Sequence, residues 1–492
     1  MGGRADICLM LEGTYPYVPG GVSSWVHGLV QALPDRRFTL LHISPSEGAY
    51  GAPCYQMPDN IHGLTEVFCH IRKPPPPAAD AGKVDAGHAR LLRALERLHL
   101  EDHVDDELVA DLAAADLSVD QFLHGDGAFE LICHRLYPQL APGTPFTDFF
   151  WHMRAMHVPL LRLLSAPAPA AAVYHAVSTG YAGAVAAVAS HRTGRPMLLT
   201  EHGLYARERD MELSRAAWIS DPEDPVVGLA GPSPLRRLWS RFFLMLSRVA
   251  YHQAKRIVTL SEVNRRKQIE DGADPAKLMV VPNGVELDSY RELAERRERA
   301  TPELRPARVG FVGRVVPIKD VITLLRATAI AAQAVDLELW IVGPEDEDPA
   351  YAARCRELVG ALGLEARVQF LGRRNVREIY PELDMIVLTS LSEGQPLVII
   401  EAHAAGLPVV ASDVGACREL LEGRDADRAL GPSGIVTRVA NPEDTAAALV
   451  RLARSERLRR QMGQAGLARV AAHYRQSDVI DRYQSLYGSM VR

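Results

Sequence analysis

Short apolar runs recur along the chain and alternate with stretches in which apolar side chains return every three or four positions. The runs include Ile7 to Leu11, Phe38 to Ile43, Ala172 to Val177, Met197 to Thr200, Val309 to Gly313, Leu337 to Gly343, Val368 to Gly372, Met385 to Thr389 and Val409 to Ser412. Runs of this length with polar or glycine stops read as buried strands. Helical spacing is clearest at Val22, Trp25, Val26, Leu29 and Leu33, across Pro234 to Lys255, and at Val470, Tyr474, Val479, Tyr483, Leu486 and Tyr487. Strands that are apolar throughout and alternate with helices predict a parallel sheet covered on both faces. The expected class is α/β, with two Rossmann-like domains facing a cleft.

The rhythm divides the chain. Residues 1–290 predict an N-terminal domain and 291–475 a C-terminal one, with charged Arg291 to Arg305 as the linker and 476–492 as a terminal helix. Between about 63 and 164 the α/β alternation is lost, and Pro74 to Pro77 followed by the helix-periodic Ala89 to Leu98 predicts a helical insertion. Its role is open: it thickens the first domain or docks on a partner.

Composition narrows the function classes. Of 492 residues, 47% are hydrophobic and 24% charged, and the formal charge is -6, so nothing electrostatic calls for nucleic acid. The six cysteines are scattered, with no C-x-x-C pair and no histidine partner at zinc-ligand spacing, so no metal site is expected. The first residues run straight into an apolar strand, and no run of about 18 uncharged apolar residues occurs. The expectation is a cytoplasmic protein without a membrane span.

Candidate chemistry concentrates between Leu388 and Leu420. A strand ends at Thr389, a loop carries Ser392, Glu393, Gly394 and Gln395, and a short helix starts near Pro396 and stops at Gly406. Such a helix start offers free N–H groups and a positive dipole end to an anion. Glu393 and Glu401 bracket that place eight positions apart, too far in sequence to share one proton as a dyad. They grip different parts of one elongated ligand, or are two solvated glutamates. Arg314 and Lys319 follow the first strand of the second domain, where they could clamp a pyrophosphate without metal or simply face water. Gly20 and Gly21 follow the first strand of the chain without G-x-G-x-x-G spacing, so no nicotinamide or flavin cofactor is supported; the pair admits a ligand closely or turns the chain. His202 lies just past a strand's carboxyl end, the edge where open α/β sheets bind ligands, although a hydrogen-bonded structural histidine would look the same.

Phe311-Val-Gly-Arg314 through Lys319, Val342-Gly343, Phe370-Leu-Gly372, Ser392-Glu-Gly394, Glu401-Ala402 and Gly406 to Ser412 together resemble the retaining glycosyltransferases of family 4, which have the GT-B fold. The first half agrees through Gly20-Gly21-Val22, His202-Gly203 and Pro282 to Val285. Glu12 to Trp25 together with the long insertion is similar to the branch formed by the cytosolic glycosyltransferases of the Pel exopolysaccharide system.

The resemblance implies a UDP-sugar as donor substrate, a growing polysaccharide as acceptor, and no separate cofactor. It implies that Arg314 and Lys319 neutralise the diphosphate, that Glu401 accepts from the ribose hydroxyls, that Glu393 with Gly394 holds sugar hydroxyls, and that the N–H groups of Leu397 and Val398 meet phosphate or sugar oxygens. Arg373 joins the same binding set, His202 contacts the donor sugar, and Gly20 and Gly21 approach from the first domain. Retention by front-side attack, with the leaving phosphate taking the acceptor's proton, and a terminal helix that crosses back to the first domain are also implied. Export of a polymer made in the cytoplasm implies docking on an inner-membrane synthase complex. Two departures stand out: Gly394-Gln395-Pro396 replaces the usual Gly-Phe-Gly, and Asp320 stands where a glycine is usual. A nucleotide-sugar epimerase on the same fold and an inactive nucleotide-sugar-binding regulatory subunit remain as alternatives.

Overall fold

The computed structural model describes residues 4–70, 86–114, 119–214, 216, 218–219, 233–299 and 305–491. Pro74 to Pro77 lie outside them. The chain forms two compact units. Unit 1 comprises 1–259, 265–280 and 483–492; unit 2 comprises 260–264 and 281–482.

Unit 1 is built on seven parallel strands: β1 (Ala5–Glu12), β2 (Phe38–Ser46), β3 (Ile61–His70), β4 (Ala171–Ala176), β5 (Met197–Glu201), β6 (Arg256–Thr259) and β7 (Leu278–Val280), in the order β3-β2-β1-β4-β5-β6-β7. Unit 2 has six: β8 (Ala307–Val312), β9 (Leu337–Val342), β10 (Val368–Gly372), β11 (Met385–Leu388), β12 (Val409–Ser412) and β13 (Gly434–Thr437), in the order β10-β9-β8-β11-β12-β13. Every pairing between these strands is parallel. In each sheet the order reverses beside the first strand, between β1 and β4 and between β8 and β11. Loops leaving the carboxyl ends of such neighbours diverge and leave room for a ligand.

Two sequence expectations change. Residues 63–70 are not the start of the helical insertion but most of edge strand β3. That strand is half exposed on both faces, which blurs its pattern. The helices between Ala86 and Ser165 share the core of unit 1: Leu91, Leu95, Leu98, Met153 and Leu160 are buried together with Cys8, Met10 and Leu199. Of the expected linker, residues 291–299 belong to the helix Asp288–Arg299, whose Tyr290 and Leu293 are buried in one core with Tyr380 and Leu383. The segment from Val281 groups with unit 2 because Val285 donates to the Tyr474 carbonyl (2.9 Å) and accepts from the Gln476 N–H (3.0 Å).

Candidate active site

The loops after β8 and β11 are stitched together. Leu391 N–H donates to the Ile318 carbonyl (2.8 Å), and the Thr389 hydroxyl lies 3.1 and 3.0 Å from the carbonyls of Lys319 and Asp320. This brings Lys319 Nζ within 2.6 Å of Glu393 Oε1, which also accepts from the Ser390 hydroxyl at 2.6 Å. Directly after this loop the helix Leu397–Ala404 begins, so the N–H groups of Leu397 and Val398 have no acceptor one turn earlier within it. An ammonium, a carboxylate and a helix start thus meet at the point where the strand order of unit 2 reverses.

The two departures from the family pattern acquire local reasons. Asp320 adopts a left-handed backbone (φ 46°), which explains why glycine suits this position. Its carboxylate accepts from Thr323 N–H at 3.2 Å and caps the helix Val321–Ala331. Pro396 stands immediately before its helix, so its missing N–H leaves the first-turn donors of Leu397 and Val398 in place. Arg314 and Arg373 are exposed and held by acids of the loop after β9, Arg314 by Glu347 and Arg373 by Asp346. Ligand anions at Arg314 would have to compete with Glu347.

Glu401, inside the Leu397–Ala404 helix, accepts from Tyr380 Oη at 3.3 Å. Burial pushes its carboxyl up to about 7, against smaller downward pulls from the Tyr380 hydroxyl and the Arg377 charge. Between the ordinary value of 4.5 and about 7 the folded chain keeps a proton that the unfolded chain has released, so this group's contribution to stability falls as pH rises through that window. Thermal unfolding of Glu401→Gln, which mimics the protonated form, should lose this part of the pH dependence, on the order of 2 kcal/mol between pH 5 and 8. An unchanged pH profile would refute the assignment.

Two supports of the site carry no local sequence signal. Gln395, read only as a departure, is buried: its Oε1 accepts from Asn283 N–H (2.6 Å) and its Nε2 donates to the Leu260 carbonyl (3.0 Å). Gly415 has φ +51°, and a Cβ there would lie 2.0 Å from the Glu393 carbonyl oxygen and 2.6 Å from that of Gly394. The next residue, Ala416, donates its N–H to the Gly394 carbonyl (3.0 Å).

The remaining candidates belong to unit 1. Gly20 is extended (φ 164°), and a Cβ there would meet nothing within 4 Å, so neither backbone strain nor packing requires glycine at this position. Gly21 opens the helix Gly21–Gln31. His202 packs against the edge of Trp25, with ring centroids 4.5 Å apart at 69°, and burial lowers its imidazole to about 4. Its Nε2 is buried and, among the described residues, has no hydrogen-bond partner. The neighbouring Glu201 is buried and accepts from Thr179 Oγ1, Tyr205 N–H, Tyr251 Oη and Gln268 Nε2 at 2.6–3.1 Å, which fixes the end of β5. At the end of β1, Glu12 accepts from Tyr205 Oη (2.8 Å) and from the N–H of Ala182 (3.3 Å), in the first turn of the helix Gly180–Thr193. No described helix is long and apolar enough to cross a membrane.

Comparison with known proteins follows these divisions. Residues 5–276 match the family described as "Domain of unknown function (DUF3492)", and residues 306–455 match "Glycosyl transferases group 1". A D-inositol 3-phosphate glycosyltransferase of Rhodococcus erythropolis is 35% identical over 187 residues, 36% of this chain and 41% of that protein. An MMP alpha-(1->4)-mannosyltransferase of Mycolicibacterium hassiacum is 28% identical over 304 residues, 60% of this chain and 66% of that protein. The chain spans about half the length of the curated relatives it matches, 41% and 52% for two of them. Among solved structures, Anabaena Alr3699/HepE in complex with UDP and glucose is similar with a TM-score of 0.57 at 16% identity, covering 98% of this chain and 100% of that one. Sucrose-phosphate synthase from Thermosynechococcus elongatus gives 0.60 at 17%, covering 98% of each chain. Likeness at these identities shows the fold, which is GT-B. By a match over more than half its length the chain belongs to the family described as "Domain of unknown function (DUF3492)", and its second half carries a domain of the group 1 glycosyl transferases.

Proposed function

We propose that this chain is a retaining, metal-independent hexosyltransferase that moves a sugar from a UDP-sugar, such as UDP-glucose or a UDP-N-acetylhexosamine, to a growing exopolysaccharide, as in the Pel branch of family 4. The observation that carries the reading is the Lys319–Glu393 pair at the strand reversal of unit 2, beside the start of the Leu397–Ala404 helix. Fixed positive charge and oriented N–H groups at that point suit the diphosphate, whose charge grows as the bond to the sugar breaks. In this reading Lys319 and Arg314 neutralise the leaving group, Glu401 accepts from the ribose hydroxyls, and Glu393 trades part of its bond to Lys319 for a sugar hydroxyl. To His202 it gives a contact with the transferred sugar. The acceptor hydroxyl attacks the anomeric carbon on the face the diphosphate leaves, and a departing phosphate oxygen takes its proton. The solved HepE complexes with UDP and the glycosyltransferase domain match support the donor class. Recruitment to an inner-membrane synthase complex belongs to the same reading; exposed Phe129 and Trp151 mark the helical layer's available surface.

The test is incubation of the full chain with UDP-glucose, UDP-N-acetylglucosamine and UDP-N-acetylgalactosamine in excess chelator, followed by NMR. Release of UDP with the sugar passed to water, its anomeric configuration found kept when read before mutarotation, is expected. Inversion, or failure to bind any of the three by calorimetry, overturns the reading. An epimerised sugar without UDP release makes the protein an epimerase. Turnover that returns only with magnesium or manganese overturns the metal-free part.

A further inference from the structure

We infer that the end of the C-terminal helix holds the His202 imidazole in place, with Tyr483 and Tyr487 as positioning residues acting through Trp25, Thr200 and His175. The helix Gln476–Met490 presents Tyr483 and Tyr487, one turn apart and both fully buried in unit 1. A continuous hydrogen-bonded chain joins them to the sheet. Tyr487 Oη lies 2.7 Å from His175 Nδ1, His175 Nε2 lies 2.8 Å from Thr200 Oγ1, and Thr200 Oγ1 lies 3.0 Å from Tyr483 Oη. His175 is on β4, and Thr200 is on β5 two residues before His202. The chain therefore ties the helix to β4 and β5, the second of which runs directly into His202.

Trp25 links this network to His202. Its ring meets His202 at 4.5 Å, Tyr483 at 5.1 Å and His175 at 6.2 Å, each edge to face. The His202 backbone follows directly on Glu201, which four hydrogen bonds anchor. The imidazole is different: its buried Nε2 takes no hydrogen bond from the described residues, so packing against Trp25 is what sets its orientation. Removing the Tyr483 ring opens space on another side of Trp25 and releases the wedge. A small misplacement of a group proposed to contact the transferred sugar lowers turnover more than it lowers donor affinity. The catalytic consequence rests on the proposed role of His202; the packing consequence does not.

The experiment compares Tyr483→Ala and Tyr483→Phe in the full chain, with ring-labelled histidine NMR and steady-state kinetics on UDP-glucose. The His202→Gln spectrum identifies the His202 resonance. In Tyr483→Ala that resonance should move, kcat should fall by about 10- to 100-fold, and KM for the donor should stay within about 3-fold. Tyr483→Phe, which keeps the ring, should restore both the resonance and most of kcat. A folded Tyr483→Ala protein with an unmoved His202 resonance overturns the inference, whatever its kcat. A moved resonance with wild-type kcat in an active enzyme overturns the positioning role. If Tyr483→Ala does not fold, Tyr483→Leu carries the same expectation and the same refutation. The NMR reading needs no turnover, so an inactive wild type would count against the proposed function while the positioning of His202 is still decided.

Discussion

Lys319→Ala is expected to lower sugar transfer by about 100- to 1,000-fold while leaving the fold intact, the size of effect seen when one fixed donor is removed from a developing anion. The loop that carries Lys319 is held by groups other than its ammonium: Leu391 bonds the Ile318 carbonyl, Thr389 bonds the carbonyls of Lys319 and Asp320, and Asp320 caps the following helix. Among the described residues, loss of Nζ leaves the Glu393 carboxylate bonded only to the Ser390 hydroxyl, so the place proposed for a diphosphate turns from balanced to negative. Arg314→Ala should act in the same direction and less strongly. Arg314 is half exposed and already shared with Glu347, and a charge-assisted contact is worth roughly 1.5–3 kcal/mol. Steady-state kinetics beside a thermal melt separates the outcomes. Wild-type turnover in folded Lys319→Ala protein would remove this residue from the leaving-group site.

The second large effect is expected at a residue with no chemistry. Gly415→Ala should destabilise unit 2 by about 2–5 kcal/mol and abolish tight donor binding, because left-handed strain of roughly 1–2 kcal/mol adds to an overpacking cost of roughly 1–3 kcal/mol. The atoms in the way are the carbonyl oxygens of Glu393 and Gly394, at 2.0 and 2.6 Å from the new Cβ. These are backbone atoms and cannot rotate aside. Relief requires moving the Glu393 loop off Ala416, whose N–H holds the Gly394 carbonyl, and so moving the carboxylate away from Lys319. Differential scanning calorimetry with UDP titration checks this: a wild-type melting temperature and affinity would show that the loop does not lean on Gly415.

What could be read from the chain alone follows from the range of the interactions. β1, β11 and β12 are buried along almost their whole length, so their apolar runs stand out, and the turn chemistry around Pro396 and Gly406 marks the short helix between the last two. Edge strand β3 is wetted on both faces and lost its signature in the run of helices that follows. The helix Asp288–Arg299 hid behind its charges, since only Tyr290 and Leu293 among its first residues are buried in the core. Lys319 and Glu393 were both picked out, but their pairing was not, because 74 residues separate them and the contact depends on which strands become neighbours. The same holds for Gln395 with Leu260, Glu401 with Tyr380 and Trp25 with His202: local periodicity carries no trace of a partner that arrives from another loop. Asp320 is the reverse case. In sequence it is only a departure from glycine, whereas its backbone angle and its bond to Thr323 give the carboxylate a capping role.

The two sheets share one plan and differ in sign. After β11 the helix start lies beside the Lys319 ammonium and the Glu393 carboxylate, whereas after β4 the corresponding helix start already holds a carboxyl group of the chain itself, which burial pushes up from its ordinary value. Glu12 reaches across from the end of β1 to the N–H of Ala182 and is locked there by Tyr205. A second acid or phosphate arriving at that helix start would meet Glu12 already bonded there. Under the proposed function, an acid already bonded at this helix start keeps the first sheet from drawing the diphosphate away from unit 2.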